Sequence, residues 1–311
     1  MEKKTAYDLI IIGSGPAGMS AAIYAARKGL SALVIGKMVG GQMTKSGEVQ
    51  NYLGYGYTTG LELAEKFHKH LEDFKGLEHQ HGTLVKSLKK KEKGFVAVME
   101  DGERFRGRAV IIASGRIPRH LNVPGEEEFA NRGVSYCEVC DAPLFKGKVT
   151  TVVGGGNSAL EAVLSLAELS PKVYIVNINP QLAGDEVLRK RISEKKNVEV
   201  IGNALTVSIN GKQVVESLTY KDKTTGKEGT LETEGVFIEI GSVPSVEFDK
   251  LTEKDKGGEI KVDNRNQTSV EGIFAAGDVT DIGFYQIIVA AGEGAKAALS
   301  AYDYLIRSEK D

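Results

Sequence analysis

Leu9-Ile-Ile-Ile12 is a continuous apolar run, mostly β-branched, with no polar residue alternating through it. Such a run reads as a strand buried on both faces. Gly13-Ser-Gly-Pro-Ala-Gly18 follows, then a helical stretch over residues 19–28 that Gly29 stops, then a second strand over 31–35. The order strand, glycine-rich turn, helix, strand predicts a βαβ unit on a parallel sheet. The same order returns later in the chain. Residues 148–153 form a buried-type strand, Gly154-Gly-Gly-Asn-Ser-Ala159 the turn, 160–169 an amphipathic helix and 172–176 the next strand. This internal echo organises the whole sequence.

A second echo frames the second unit. Residues 111–118 and 238–244 each end in Gly-x-(Ile/Val)-Pro. Proline cannot continue a central strand, so each marks an exit from a sheet and a crossing between domains. The expected organisation is a discontinuous first domain, 1–117 with 245–311, and an inserted second domain, 118–244. Two hairpins fill the gaps, 95–100 with 103–108 around Asp101-Gly102, and 218–222 with 230–233. Asp-Gly suits the positive φ of a tight hairpin turn. Residues 61–74 and 186–196 read as surface helices, and 287–304 as an Ala/Gly-rich helix. The expected fold class is α/β, with two dinucleotide-binding, Rossmann-like βαβ domains, the second inserted in the first, and β-hairpin or meander additions.

Composition narrows the function. The 311 residues suit two domains, and 41% hydrophobic content can build their cores. Lys plus Arg number 40 against 42 Asp plus Glu, so no electrostatic argument points to nucleic acid or an anionic membrane. No apolar run approaches bilayer length, and residues 1–5 do not resemble a leader. A soluble protein of a reducing cytoplasm is the expectation. Glycine is abundant, 37 residues against 7 prolines, which suits many points of close backbone approach.

The first glycine turn has a specific chemistry. Gly13 turns the strand tightly, Gly15 lets backbone amides approach a pyrophosphate, and Gly18 lets helix and strand pack closely. The acidic residue expected at the end of the second strand to hold a ribose is missing, since Gly36 stands there. Ala275-Ala-Gly-Asp278 closes a late strand, and Asp278 reads either as an acceptor for a polyol hydroxyl or as a helix N-cap. Cys137-Glu-Val-Cys140 holds the only two cysteines. Zinc ordinarily needs four ligands. The five histidines, at 68, 70, 79, 81 and 120, lie far from the pair in sequence and read as surface residues. No metal site is expected, and a redox dithiol is the remaining reading beside two inert buried thiols. Asp141 follows the second cysteine, either as an acid that returns a proton to a leaving thiolate or as a turn residue.

Together these motifs resemble the low-molecular-weight thioredoxin reductases, a class of flavoprotein pyridine nucleotide-disulfide oxidoreductases. The resemblance rests on Gly13–Gly18, Gly40-Gly-Gln42, Asn51, Ile112-Ala-Ser-Gly115, Cys137-Glu-Val-Cys-Asp141, Gly154–Ala159, Gly277-Asp278 and the run from Gln286 to Leu299, and it covers essentially the whole chain. The flavoprotein component of alkyl hydroperoxide reductase is similar too, but for an extra thioredoxin-fold region not expected before residue 7 here. The resemblance implies FAD on the first domain, lined by Gly13, Gly15, Pro16, Ala17, Gly41, Gln42, Asn51, Gly115, Gly277, Asp278, Gln286 and Ile287. It implies Cys140 as the thiol facing the flavin, Cys137 as the thiol attacking a thioredoxin-like partner, Asp141 as the acid, and a homodimer.

One departure stands out. An NADPH-dependent member of the family is expected to carry His-Arg-Arg-x-x-x-Arg after the second strand of the inserted domain. This chain has Val176-Asn-Ile-Asn-Pro-Gln-Leu-Ala183 there, with no cation and no acid. A 2′-phosphate would lose charge-assisted bonds of roughly 1.5–3 kcal/mol each. NADPH is therefore disfavoured and NADH unsupported. Reduced ferredoxin or a reduced deazaflavin fits as donor. The alternatives are an NADH-dependent reductase of a peroxiredoxin or glutaredoxin-like partner, and a non-enzymatic FAD-binding redox sensor.

Overall fold

The computed structural model describes residues 5–46 and 49–308. The amino-terminal residues 1–4, where no leader is expected, lie outside them. In chain order the elements begin with β1 (Ala6–Ile12), α1 (Pro16–Arg27), β2 (Ala32–Gly36), α2 (Gly60–Glu72), β3 (Leu77–His81), β4 (Val85–Lys90), β5 (Phe95–Met99), β6 (Arg104–Ile112) and β7 (Arg116–Pro118). There follow β8 (Val134–Ser135), α3 (Glu138–Asp141), β9 (Thr150–Val153), α4 (Asn157–Leu169), β10 (Val173–Val176), α5 (Glu186–Ser193) and β11 (Val198–Ile201). The chain closes with β12 (Ala204–Gly211), β13 (Val215–Asp222), β14 (Glu228–Glu232), β15 (Gly235–Ile238), β16 (Ser242–Pro244), β17 (Ile273–Ala275) and α6 (Ile287–Arg307). Two compact units result, Met1–Ile117 with Val243–Asp311, and Pro118–Ser242. The crossing strands β7 and β16 pair with each other, each entered through a glycine at positive φ, Gly115 at 65° and Gly241 at 88°.

The first unit is built on a seven-stranded sheet, order β3-β2-β1-β6-β5-β4, with β17 also on β6. Strands β3, β2, β1, β6 and β17 run parallel, and β6-β5-β4 antiparallel. Leu9 and Ile11 bury on one face, and Ile10 and Ile12 on the other. That two-sided burial is why β1 shows no polar alternation. Helix α1 starts with Pro16 in its first turn, where proline's missing N–H has no partner to lose. A Thr59–Glu62 capping box opens α2. The Ala/Gly content of α6 has a packing cause, since a Cβ on Gly294 would stand 1.9 Å from the carbonyl oxygen of Ala17. Helices α1 and α6 cross at backbone contact, and only glycine fits there.

The second unit has a parallel sheet, order β11-β10-β9-β15-β8, and a separate three-stranded antiparallel sheet, β12-β13-β14. The Asp101-Gly102 hairpin and the β13–β14 hairpin are both present, and each gains one further strand, β4 and β12. No helix among the described residues is long and apolar enough to cross a membrane. Reading the histidines as surface residues fails for His68 and His79, which are half-buried. With the exposed His81 they gather where α2 meets β3, because burial of Leu63, Ala64 and Leu71 turns that face of the helix inward.

Candidate functional site

In the first unit the glycine-rich turn lies where the parallel strands β1, β6 and β17 end, the side on which open α/β sheets bind ligands. Gly13 has φ 121°, and a Cβ there would stand 2.0 Å from the carbonyl oxygen of Ala113. Gly18 is equally closed, with Gly13 oxygen 1.9 Å from its Cβ position. Gly15 differs. It has an ordinary φ of −81° and caps α1 without any side-chain bond. A Cβ there would meet nothing closer than Gly40 oxygen at 3.9 Å. Nothing in the protein itself requires glycine at that position. The open space, in front of the unpaired amides of a helix N-terminus, fits the pyrophosphate of a dinucleotide such as FAD.

The structure gathers the other expected contacts around this turn. Pro16 and Ala17 begin α1, and Gly41 would bring a Cβ to 3.2 Å from the Cα of Gly15. The Gln42 amide donates to the carbonyl oxygen of Arg116. Gly115 occupies φ 65°, and its carbonyl oxygen accepts the Ser245 N–H at 2.9 Å. Asn51 donates to Gln286 at 3.0 Å across 235 positions of sequence. Gln286 caps α6, and Ile287 is its first residue. Gly277 has φ 75°, with the methyls of Ala17 and Ala290 3.0 and 3.3 Å from its Cβ position. The N-cap reading of Asp278 therefore falls, because α6 starts nine residues later. Burial pushes the Asp278 carboxyl up, and the nearby Arg116 guanidinium pulls it partly back.

The vacant acid position also has a cause. A Cβ on Gly36 would stand 2.1 Å from Ser14 Oγ, which donates to the Met38 carbonyl oxygen at 2.8 Å. The Ser14 side chain fills the room a longer residue would need. Sequence reasoning missed Ser14. It also missed Arg116, which pairs with Glu259 at 2.6 Å beneath the Tyr285 ring. The Arg116 contacts join segments over 140 positions apart, and no local pattern announces them.

In the second unit Cys137 and Cys140 form a disulfide with a Cα–Cα distance of 5.4 Å. Cys137 caps the short helix α3, and its Sγ accepts the Cys140 N–H at 3.3 Å. Cys137 is half-buried and Cys140 exposed. Asp141 closes the same helix. Ser135, buried on β8, donates to the Asp141 carboxylate at 2.7 Å and accepts the Cys137 N–H at 3.0 Å. Ser135 thus links the acid to the first cysteine, a role that the sequence signalled only by proximity. Glu138, between the cysteines, has its carboxyl pushed up by burial, with a hydrogen bond from Ser165 opposing and the Glu161 charge adding. His120 is not remote from the dithiol. Its ring packs on Tyr136, beside Cys137, at 4.9 Å between centroids, and Tyr136 donates to the buried Glu126 at 2.6 Å.

The second glycine turn keeps part of the first one's geometry. Gly154 has φ 144° with Glu239 oxygen 2.2 Å from its Cβ position, and Gly156 is open. The loop after β10 differs. The buried Asn177 amide donates to the carbonyl oxygens of Asn179 and Gln181 at 3.0 and 2.9 Å. Both of its N–H donors are spent within the loop and cannot serve a ribose, contrary to the expectation that it would supply neutral bonds. Ala183 and Gly184 donate to the Gly155 carbonyl oxygen. Arg189 and Arg191 are exposed on α5. A basic group that does reach the loop is Lys223, whose Nζ donates to Ile178 oxygen at 3.4 Å.

Comparison with known proteins agrees with this geometry. Residues 7–294 match the family model described as pyridine nucleotide-disulphide oxidoreductase. A Bacillus subtilis protein named NADH dehydrogenase is 43% identical over 306 residues, which is 98% of this chain and 60% of that protein. The flavoprotein component of Escherichia coli alkyl hydroperoxide reductase is 39% identical over 313 residues, 99% of this chain and 60% of that protein. The chain thus spans about 60% of the length of these curated relatives. Among solved structures, a thioredoxin reductase of T. acidophilum superposes with a TM-score of 0.85 at 40% identity, covering 97% of this chain and 100% of that one. A ferredoxin-flavin thioredoxin reductase from Clostridium acetobutylicum gives 0.56 at 32% identity, covering 98% and 99%. The chain belongs to the pyridine nucleotide-disulphide oxidoreductase family, with the fold of the low-molecular-weight thioredoxin reductases.

Proposed function

We propose that this protein is an FAD-dependent disulfide reductase that delivers an electron pair through Cys137 and Cys140 to the disulfide of a thioredoxin-like protein, as a cytoplasmic homodimer. The observation that carries the reading is the Cys137–Cys140 disulfide at the start of α3, tied through Ser135 to an acid. FAD, when bound, supplies a two-electron redox couple. Gly13, Gly15, Pro16, Ala17, Gly41, Gln42, Asn51, Gly115, Gly277, Asp278, Gln286 and Ile287 would hold it. Two electrons and two protons convert the disulfide to a dithiol. Cys137 is the nucleophile, because the Cys140 N–H directed at its sulfur favours the thiolate. Its attack on a partner disulfide forms a mixed disulfide and expels one partner thiolate, to which Asp141 returns a proton. Cys140 then displaces the second partner sulfur and restores the intramolecular disulfide.

NADPH is a poor donor on this reading. The loop after β10 offers a 2′-phosphate no arginine, and the exposed ammonium of Lys223 does not replace a bidentate guanidinium. A reduced ferredoxin or deazaflavin is the donor, and the likeness to a ferredoxin-flavin thioredoxin reductase supports this. A second reading has its own support. Gly156 is open and a 43% identical relative is named an NADH dehydrogenase, which favours NADH as donor and a peroxiredoxin-like partner. Anaerobic addition of NADPH, NADH, reduced ferredoxin and reduced deazaflavin, with flavin absorbance followed, distinguishes them. Bleaching by ferredoxin or deazaflavin but neither nicotinamide is expected. Rapid bleaching by NADPH overturns the donor assignment. A Cys137→Ser protein that still reduces thioredoxin at the normal rate overturns the relay.

A further inference from the structure

A group of nitrogen ligands in the first unit has no part in the reaction above. His68 on α2 faces His79 and His81 on β3. The ring centroids stand 5.9 Å (68–79), 5.6 Å (68–81) and 5.3 Å (79–81) apart. His79 and His81 are two residues apart on a strand, so their side chains leave the same face, and β3 is the edge of its sheet. Glu72 lies one turn after His68, with Oε1 3.9 Å from His68 Nε2, and its charge also reaches His79. The Nδ1 atoms of His68 and His79 are buried without a hydrogen-bond partner among the described residues. Buried polar atoms are nearly always satisfied, and an orphan pair in one cluster asks for an explanation.

Spacing supplies one. Three imidazoles on a single tetrahedral ion, with metal–nitrogen bonds of ~2.0–2.1 Å, keep their ring centroids ~5 Å apart. The trio stands within about an ångström of that arrangement. In the present rotamers no three of the described His, Cys, Asp or Glu side chains are set to hold an ion, so loading requires the rings to turn. Rotation about the last bond of histidine is soft, and His81 is exposed, with room to move. We propose that His68, His79 and His81, completed by the Glu72 carboxylate, form a site for a divalent transition metal of the zinc class that ties α2 to the edge strand β3. Burial, followed by the neighbouring rings, holds His79 and His81 below the usual histidine range. Their neutral form at pH 7 is the one that binds metal.

The test is calorimetric titration of the full, flavin-loaded chain with zinc chloride at neutral pH. The Cys137–Cys140 disulfide is kept oxidised so that the thiols cannot compete. One equivalent taken up in the micromolar range or tighter, with a rise in melting temperature, is expected. His79→Gln and His81→Gln should each weaken uptake at least about ten-fold, and Glu72→Gln by less. Uptake should fade on acidification as the rings protonate. His81 is exposed, so His81→Gln tests the site even if substitution of the half-buried rings impairs folding; circular dichroism and flavin content verify that each variant is folded. No saturable uptake below ~100 µM, or equal uptake by the His81→Gln protein, overturns the proposal.

Discussion

The two glycine-rich turns are the same device used in two ways. Gly13 and Gly154 are closed by a carbonyl oxygen from a neighbouring strand end, 2.0 Å from the Cβ position in one case and 2.2 Å in the other. Gly15 and Gly156 are the open positions before their helices. What differs is the contact between the turn and the end of the following strand. In the first unit a serine, Ser14, tucks its hydroxyl against Gly36; in the second the glycine is in the turn, Gly155, and the polar side chain, Asn177, comes from the strand end. Each pair buries one polar group in the same corner. The residue at the strand end decides whether a ribose can be met there. The lesson is that a shared phosphate cradle does not bring a shared nucleotide preference, because the selective residues come from elsewhere in the fold.

Several changes would break or sharpen this comparison. The largest effect belongs to the dithiol. Cys137→Ser should abolish reduction of a thioredoxin-like substrate, and Cys140→Ser should accumulate a partner adduct visible on non-reducing gels. If the adduct forms instead with Cys137→Ser, the two sulfurs exchange roles. Next come the closed glycines. Gly13→Ala and Gly154→Ala place a methyl against backbone at positive φ, and each should cost several kcal/mol, about 3 or more, in chemical denaturation. The open glycines should separate fold from ligand. Gly15→Ala should leave the melting curve of the flavin-free protein within about 1 kcal/mol of the parent but lose flavin on dialysis. Gly156→Ala should keep its flavin and its ferredoxin- or deazaflavin-driven turnover; a selective fall in NADH-driven turnover would favour the second reading.

The smallest effect is electrostatic and confined to the second unit. Burial alone would raise the Glu126 carboxyl, but the Tyr136 hydroxyl and the Leu121 and Asn122 amides, with His120 nearby, outweigh it and hold the group below its ordinary value. A lowered folded-state value means this contribution is present above the ordinary carboxylate range and is lost as pH falls through the folded one. Stability should therefore decline on acidification. The neutral side chain of Glu126→Gln should flatten that part of the curve at a cost of about 1–3 kcal/mol near neutral pH.

Much of the architecture was legible because its signals are local. Leu9 to Ile12 announced a strand buried on both faces, Asp101-Gly102 a hairpin, and each Gly-x-(Ile/Val)-Pro a crossing strand, which the structure pairs as β7 with β16. Strands β4 and β12 escaped notice, since their mixed polar sequences carry weak periodicity, and cross-strand partners stabilise them. Around the site, cysteine spacing and the glycine turns were readable. The Ser135 link to Asp141 was not, nor was the contact of Asn51 with Gln286.

The order of elements, the doubled βαβ plan, the dithiol and the lack of arginines after β10 follow from the chain alone, because each depends on residue types at short, definite spacing. Tertiary structure decided which polar groups are already occupied. It spent the Asn177 donors inside their own loop, filled the space beside Gly36 with Ser14, denied Asp278 the role of a helix cap, and assembled three histidines from a helix and a strand. Hydrogen-bond occupancy and side-chain convergence depend on distances between remote segments, and those distances exist only once the sheets have brought the segments together.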